Sequence, residues 1–93
     1  MLTVNSYFDD KVKSIGFEGE SLPATVGVVS PGEYAFDTSK YETITIVSGV
    51  LTVKLPNSDT WVDYSAGQTF EVEAGVVFSV KAEKDAAYLC TYA

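Results

Sequence analysis

The run Glu42-Thr43-Ile44-Thr45-Ile46-Val47-Ser48-Gly49-Val50-Leu51-Thr52-Val53-Lys54-Leu55 decides the fold class. It is dense in β-branched residues, which favour extended backbone, and it is broken once by the turn pair Ser48-Gly49. A period of two puts Glu42, Ile44 and Ile46 on one face of the first strand and Thr43, Thr45 and Val47 on the other. The first set is the more apolar and is expected to meet a core. Outward from here the same pattern recurs over residues 43–47, 50–55, 61–64, 69–72, 76–82 and 87–92, each predicted as a strand. Turn signals at Pro31-Gly32, Pro56 through Asp59, Ala66-Gly67, Ala74-Gly75 and Lys84-Asp85 separate them at the ~8–12-residue rhythm of short antiparallel strands. No segment carries a helical apolar period, and residues 7–17 alternate, so they are read as extended. The expectation is an all-β, antiparallel barrel, jelly-roll-like, spanning 1–93 as a single domain.

Composition narrows the partners. With 13 acidic and 6 basic residues the formal charge is −7, all six cations are lysines, and no arginine is present. Such a field repels phosphate backbones, so nucleic acid and anionic membranes are poor partners and a small molecule is the better expectation. Cys90 is the only cysteine, which excludes an internal disulfide, and there is no long apolar run of the ~18 residues a membrane helix needs. A cytoplasmic protein without export signal is expected.

Carboxylates and phenols are the candidate chemistry, because the chain has no histidine. If Ile44 and Ile46 face the core, Glu42 stands at the mouth of the same face, where partial desolvation makes a reactive or ligand-binding carboxylate. A solvated carboxylate at a strand start satisfies the same pattern. In the last strand Tyr88, Cys90 and Tyr92 share a face. They suit a pocket wall, while core-edge aromatics and a small buried thiol are the commoner outcome, and the latter is favoured for Cys90.

The stretch from Gly32 to Gly49, with six residues between Glu42 and Gly49, resembles the second half of the first cupin motif. Gly67, Gly75 and Phe78 match the glycine, glycine and histidine positions of the second, with Glu73 at its proline. The metal-binding histidines are absent: Thr38 and Lys40 stand near the first pair, and Phe78 replaces the third. The resemblance therefore implies a metal-free cupin, since one carboxylate does not make a transition-metal site.

More closely, the chain resembles the small pyrimidine/purine nucleoside phosphorylases. The resemblance rests on Tyr7-Phe8, Lys11 through Phe17, Gly32-Glu33-Tyr34 through Phe36, Glu42 through Gly49, Leu55-Pro56 with Trp61, and Tyr88-Leu89-Cys90 with Tyr92. It implies phosphate-dependent cleavage of the N-glycosidic bond of purine and pyrimidine nucleosides to free base and pentose 1-phosphate. No cofactor is expected, inorganic phosphate being co-substrate. Two positions depart from relatives: the loop Val72-Glu73-Ala74-Gly75 lacks a proline, and Thr91 stands where an arginine can occur.

Such chemistry passes through an oxocarbenium-like sugar and asks for a carboxylate beside it, donors for phosphate and a surface for the base. Glu42 is the expected catalytic group. Lys13, flanked by Ser14, is the expected phosphate donor, with the hydroxyls of Ser14 and Thr45 next. Tyr34, Phe36, Phe78, Tyr88 and Tyr92 are the expected aromatic walls. A non-catalytic cupin binding a nucleoside or sugar is the rival reading, a purely structural barrel the third, and exposed edge strands predict a homodimer.

Overall fold

A computed structural model describes residues 2–93, and every regular element in them is a strand. In chain order these are β1 (Thr3–Tyr7), β2 (Val12–Glu18), β3 (Pro23–Val29), β4 (Gly32–Asp37), β5 (Glu42–Ser48), β6 (Val50–Lys54), β7 (Val62–Ser65), β8 (Thr69–Val72), β9 (Val77–Ala82) and β10 (Ala86–Tyr92). They form a six-stranded sheet ordered β1-β2-β3-β10-β5-β8 and a four-stranded sheet ordered β4-β9-β6-β7. All pairings are antiparallel. The two sheets are not joined into one closed cylinder, so the expected barrel is a jelly-roll-like pair of facing sheets.

Alternation along the strands builds the core between them. Val12, Val29, Ile44, Ile46 and Cys90 of the large sheet meet Leu51, Val53, Phe78 and Val80 of the small one, all buried. Gly49 allows the chain to cross from β5 to β6. Its φ is +82°, and a Cβ there would come within 2.8 Å of the Asp85 carbonyl oxygen.

The strands expected at 43–47, 50–55, 61–64, 69–72, 76–82 and 87–92 are β5 to β10, shifted by a residue at most at either end. The extended reading of 7–17 needs correction. Tyr7 ends β1, Phe8 to Lys11 turn, and Val12 opens β2, paired Tyr7 with Val12 and Thr3 with Gly16. The turn contains no glycine. Phe8, Asp9 and Asp10 all take positive φ, at 53°, 55° and 69°, conformations that L-residues adopt only when their surroundings hold them. β1, β3 and β4 were not expected as separate strands.

Candidate functional site

The site grows from the register of β5 on β10. Cys90 pairs with Ile44 and Tyr92 with Glu42, so the inward rows of the two strands lie side by side. Consequently the carboxylate of Glu42 reaches Cys90, whose Sγ donates to Oε1 at 3.5 Å, and the hydroxyl of Tyr92 lies 3.0 Å from Thr25 Oγ1 across the neighbouring strand. Tyr88, one step along β10, lies over Gly27 of β3: a Cβ on Gly27 would fall 2.5 Å from the phenol ring and hydroxyl. Gly27 is thus the gap in the sheet that lets Tyr88 lie flat against the wall.

These side chains line a cavity of about 530 Å³ between the two sheets. Tyr7 and Phe8 of the first hairpin, Ser14, Glu42, Tyr88, Cys90 and Tyr92 contribute from one side, and Phe36, Asp37, Leu51, Phe78 and Val80 from the other. One wall is a continuous aromatic cluster. Phe36 stacks on Phe78 with ring centres 5.8 Å apart, Phe8 meets Phe36 edge-on at 5.5 Å, and Phe70 meets Phe78 edge-on at 6.1 Å.

The electrostatics of the cavity favour neutral groups. Burial raises the pKa of Glu42, an effect partly offset by the Cys90 thiol that donates to it. Burial first, and the nearby Glu42 carboxylate second, push Cys90 up to about 12. Tyr88 is likewise pushed up to about 12 by burial, with further contributions from Cys90, Tyr7 and Glu42. Burial lifts Tyr92 as well, although Thr25 works against it. The thiol and both phenols are therefore uncharged donors at neutral pH, and among the described residues no lysine lines the cavity.

The sequence-predicted residues divide by strand alternation. Glu42, Ser14, Phe36, Phe78, Tyr88 and Tyr92 are brought together in the cavity. Lys13 and Thr45 are not. Lys13 is exposed between the inward Val12 and Ser14 on β2, and Thr45 lies between the inward Ile44 and Ile46, its hydroxyl 3.0 Å from that of Thr69. Tyr34 is buried behind the cavity wall, where its hydroxyl reaches the carbonyls of Ser30 at 2.9 Å and Pro31 at 3.0 Å. Sequence reasoning passed over Tyr7, Phe8, Asp37, Ser39 and Phe70 as cavity residues, whereas Cys90, expected as a small buried thiol on the face of Tyr88 and Tyr92, is buried and lines the cavity as well. Period-two counting between Tyr88 and Tyr92 was signal enough for Cys90; for Tyr7 and Phe8 there was none without the turn.

The resemblance to cupin motifs raises the question of a metal, and the donors present do not fit one. Phe78 contributes a ring, and Thr38 is spent on structure: its Oγ1 donates to the Glu73 carbonyl at 2.7 Å and accepts from the Val76 amide at 3.1 Å. Lys40 is exposed, and among the described residues no three His, Cys, Asp or Glu side chains converge.

Comparison with known proteins gives a consistent picture. The family model described as pyrimidine/purine nucleoside phosphorylase matches residues 2–92. A protein of that name from Magnetococcus marinus is 60% identical over 92 residues, 99% of each chain, and one from Hahella chejuensis is 55% identical over the same span. The crystal structure of a Vibrio parahaemolyticus protein of unknown function superposes with a TM-score of 0.95 at 41% identity, covering 100% of this chain and 99% of that one. An RmlC-like cupin from Shewanella frigidimarina, 16% identical with a TM-score of 0.76 over 98% of this chain and 82% of its own, shares the fold.

Proposed function

Because the chain belongs to the pyrimidine/purine nucleoside phosphorylase family, we propose that it cleaves purine and pyrimidine nucleosides with inorganic phosphate, without a metal, in the cavity between its two sheets. The observation that carries this reading is the half-buried Glu42 facing an aromatic wall. The base lies on the rings of Phe36 and Phe78, and the pentose sits toward Glu42. As the C1′–N bond breaks, its electron pair leaves with the base, and a phosphate oxygen forms the new bond to C1′. The proton the base needs comes from the phosphate monoanion or from a phenol of the cavity.

Glu42 in its ionised form stabilises the cationic sugar, and burial strengthens that attraction. Phosphate is held by neutral donors, the hydroxyls of Ser14, Ser39, Tyr88 and Tyr92, because Lys13 points the other way. The working unit is a cytoplasmic homodimer, a reading supported by the unpaired outer edges of β1, β8, β4 and β7 and by a lone unpaired cysteine.

One observation favours a second reading. A cavity with two carboxylates and no lysine is a poor receptor for an anion, and a module that binds a nucleoside without turning it over needs no phosphate. Glu42→Gln separates the two. It keeps the shape and hydrogen bonding of the site, so the enzyme reading expects kcat to fall about a hundredfold, ~3 kcal/mol of transition-state stabilisation, with little change in nucleoside KM. Saturable nucleoside binding by the parent with no base released would establish the module instead.

A further inference from the structure

We propose that the outward face of the six-stranded sheet is the contact surface for a second copy of this chain. The proposal rests on the homodimer of the preceding reading and gives it a surface other than the strand edges.

The register aligns the outward residues into rows. Val4 pairs with Ile15, Ile15 with Val26, Val26 with Leu89, Leu89 with Thr45 and Thr45 with Thr69, so one unbroken uncharged row crosses all six strands. Beside it Lys13, Val28 and Ala87 form part of a second row. Val4 is 73% exposed, Val28 47%, Ile15 44% and Val26 43%. β-Branched side chains are expected in strands, but here they face away from the only core this sheet has. The small sheet shows the contrast: its corresponding outward row is Glu33, Lys81, Thr52 and Asp63, charged or polar throughout.

Charge distribution and area argue for a second copy as occupant. The chain carries −7, which opposes self-association through most of its surface, yet these rows and the next one over hold one cation, Lys13, and one anion, Glu71. Two copies meet there without net repulsion. Six strands ~4.8 Å apart and about 20 Å long give a projected face on the order of 500 Å². With side-chain relief its accessible area approaches the ~800 Å² per partner of a standard interface. A two-fold axis lying between the two faces, parallel to the sheets, lays the row of one copy on that of the other, an isologous contact.

Light scattering reads the mass directly and independently of turnover. The parent protein at micromolar concentration is expected at twice the 10.0 kDa chain mass. Val26→Glu and Ile15→Lys, each with its melting transition intact, are expected to run as monomers, their dissociation constants raised about a hundredfold. Ser79→Glu, outward on the small sheet, is expected to stay dimeric. Methyl NMR of the parent with a soluble paramagnetic agent needs no substitution: the methyls of Ile15, Val26 and Leu89 are expected to be shielded, and those of Val77 and Val50 bleached. A parent that stays monomeric, a dimer that survives in folded Val26→Glu and Ile15→Lys, or Ile15 and Val26 methyls bleached as strongly as Val77 would each overturn the assignment. Monomeric protein that still turns over nucleosides would sink this surface and leave the catalytic reading intact.

Discussion

Glu42 and Gly27 show how much of the site depends on single atoms. Burial lifts the Glu42 pKa above its ordinary 4.5, so the folded chain holds that proton more tightly than the unfolded chain does. The stability this group contributes is complete below the ordinary carboxylate pKa and is lost as pH rises through the raised value. Gln does not ionise. Thermal melts of Glu42→Gln should therefore lie above those of the parent at neutral pH, and the gap should close as pH falls below 4.5; a gap that widens toward acid would reverse the sign of the argument. Gly27 matters for the opposite reason, because Tyr88 occupies the space a side chain would take. Gly27→Ala should cost about 1–3 kcal/mol through overpacking, a fall in Tm of ~4–8 °C per kcal/mol in a domain of this size. The double variant with Tyr88→Leu should recover most of the loss, since it removes the clash; additive losses would show that the two residues do not touch. The placing of Glu42 on the cavity face was legible in the sequence, because Ile44 and Ile46 fix that face. The role of Gly27 was not, because a glycine's vacancy becomes a wall only when β10 is paired beside β3.

At the scale of elements, alternation was the readable signal and register the unreadable one. β5 to β10 follow from β-branched runs between turn residues, and their inward faces place Phe78, Tyr88 and Tyr92 correctly. Lys13 was assigned by its neighbourhood in the chain without counting from the buried Val12, and one residue of parity puts it on the outer face. Lys13→Met should accordingly leave the phosphate KM unchanged, and a severalfold rise would return the lysine to the site. The β1–β2 turn escaped reading because it holds neither glycine nor proline, and Asp9-Asp10, a pair that tolerates left-handed backbone, is its only local signal. It is held from outside: Phe8 packs on Tyr34 with ring centres 5.0 Å apart, Ser6 donates to Asp10, and the Ser30 amide donates to the Lys11 carbonyl at 2.9 Å. Asp9→Gly relieves one of the three left-handed residues and should stabilise by about 1 kcal/mol, raising Tm by a few degrees. An unchanged or lower midpoint would mean the turn carries no such strain.

For the molecule as a whole, an acidic chain surrounds a cavity in which burial favours the neutral forms of Glu42, Tyr88, Cys90 and Tyr92. That combination suits an uncharged nucleoside better than it suits phosphate. The phosphate KM should therefore lie at or above the upper end of the usual ~1 μM–1 mM range, and turnover should survive chelation, because the residues at the cupin metal position do not form a ligand set. Restoration of EDTA-treated protein by zinc or manganese would contradict the latter. The fold was legible because a core between two sheets needs only period-two patterning. The proposed reaction rests on family membership alone, since no residue pattern here encodes phosphorolysis by itself. The decisive measurement is product analysis: purified protein is incubated with a purine and a pyrimidine nucleoside, with and without inorganic phosphate, and free base and pentose 1-phosphate are quantified together. The account predicts equimolar base and pentose 1-phosphate, formed only when phosphate is present and about a hundredfold more slowly by Glu42→Gln. Base released with free pentose in the absence of phosphate, or no base released at all, would contradict it.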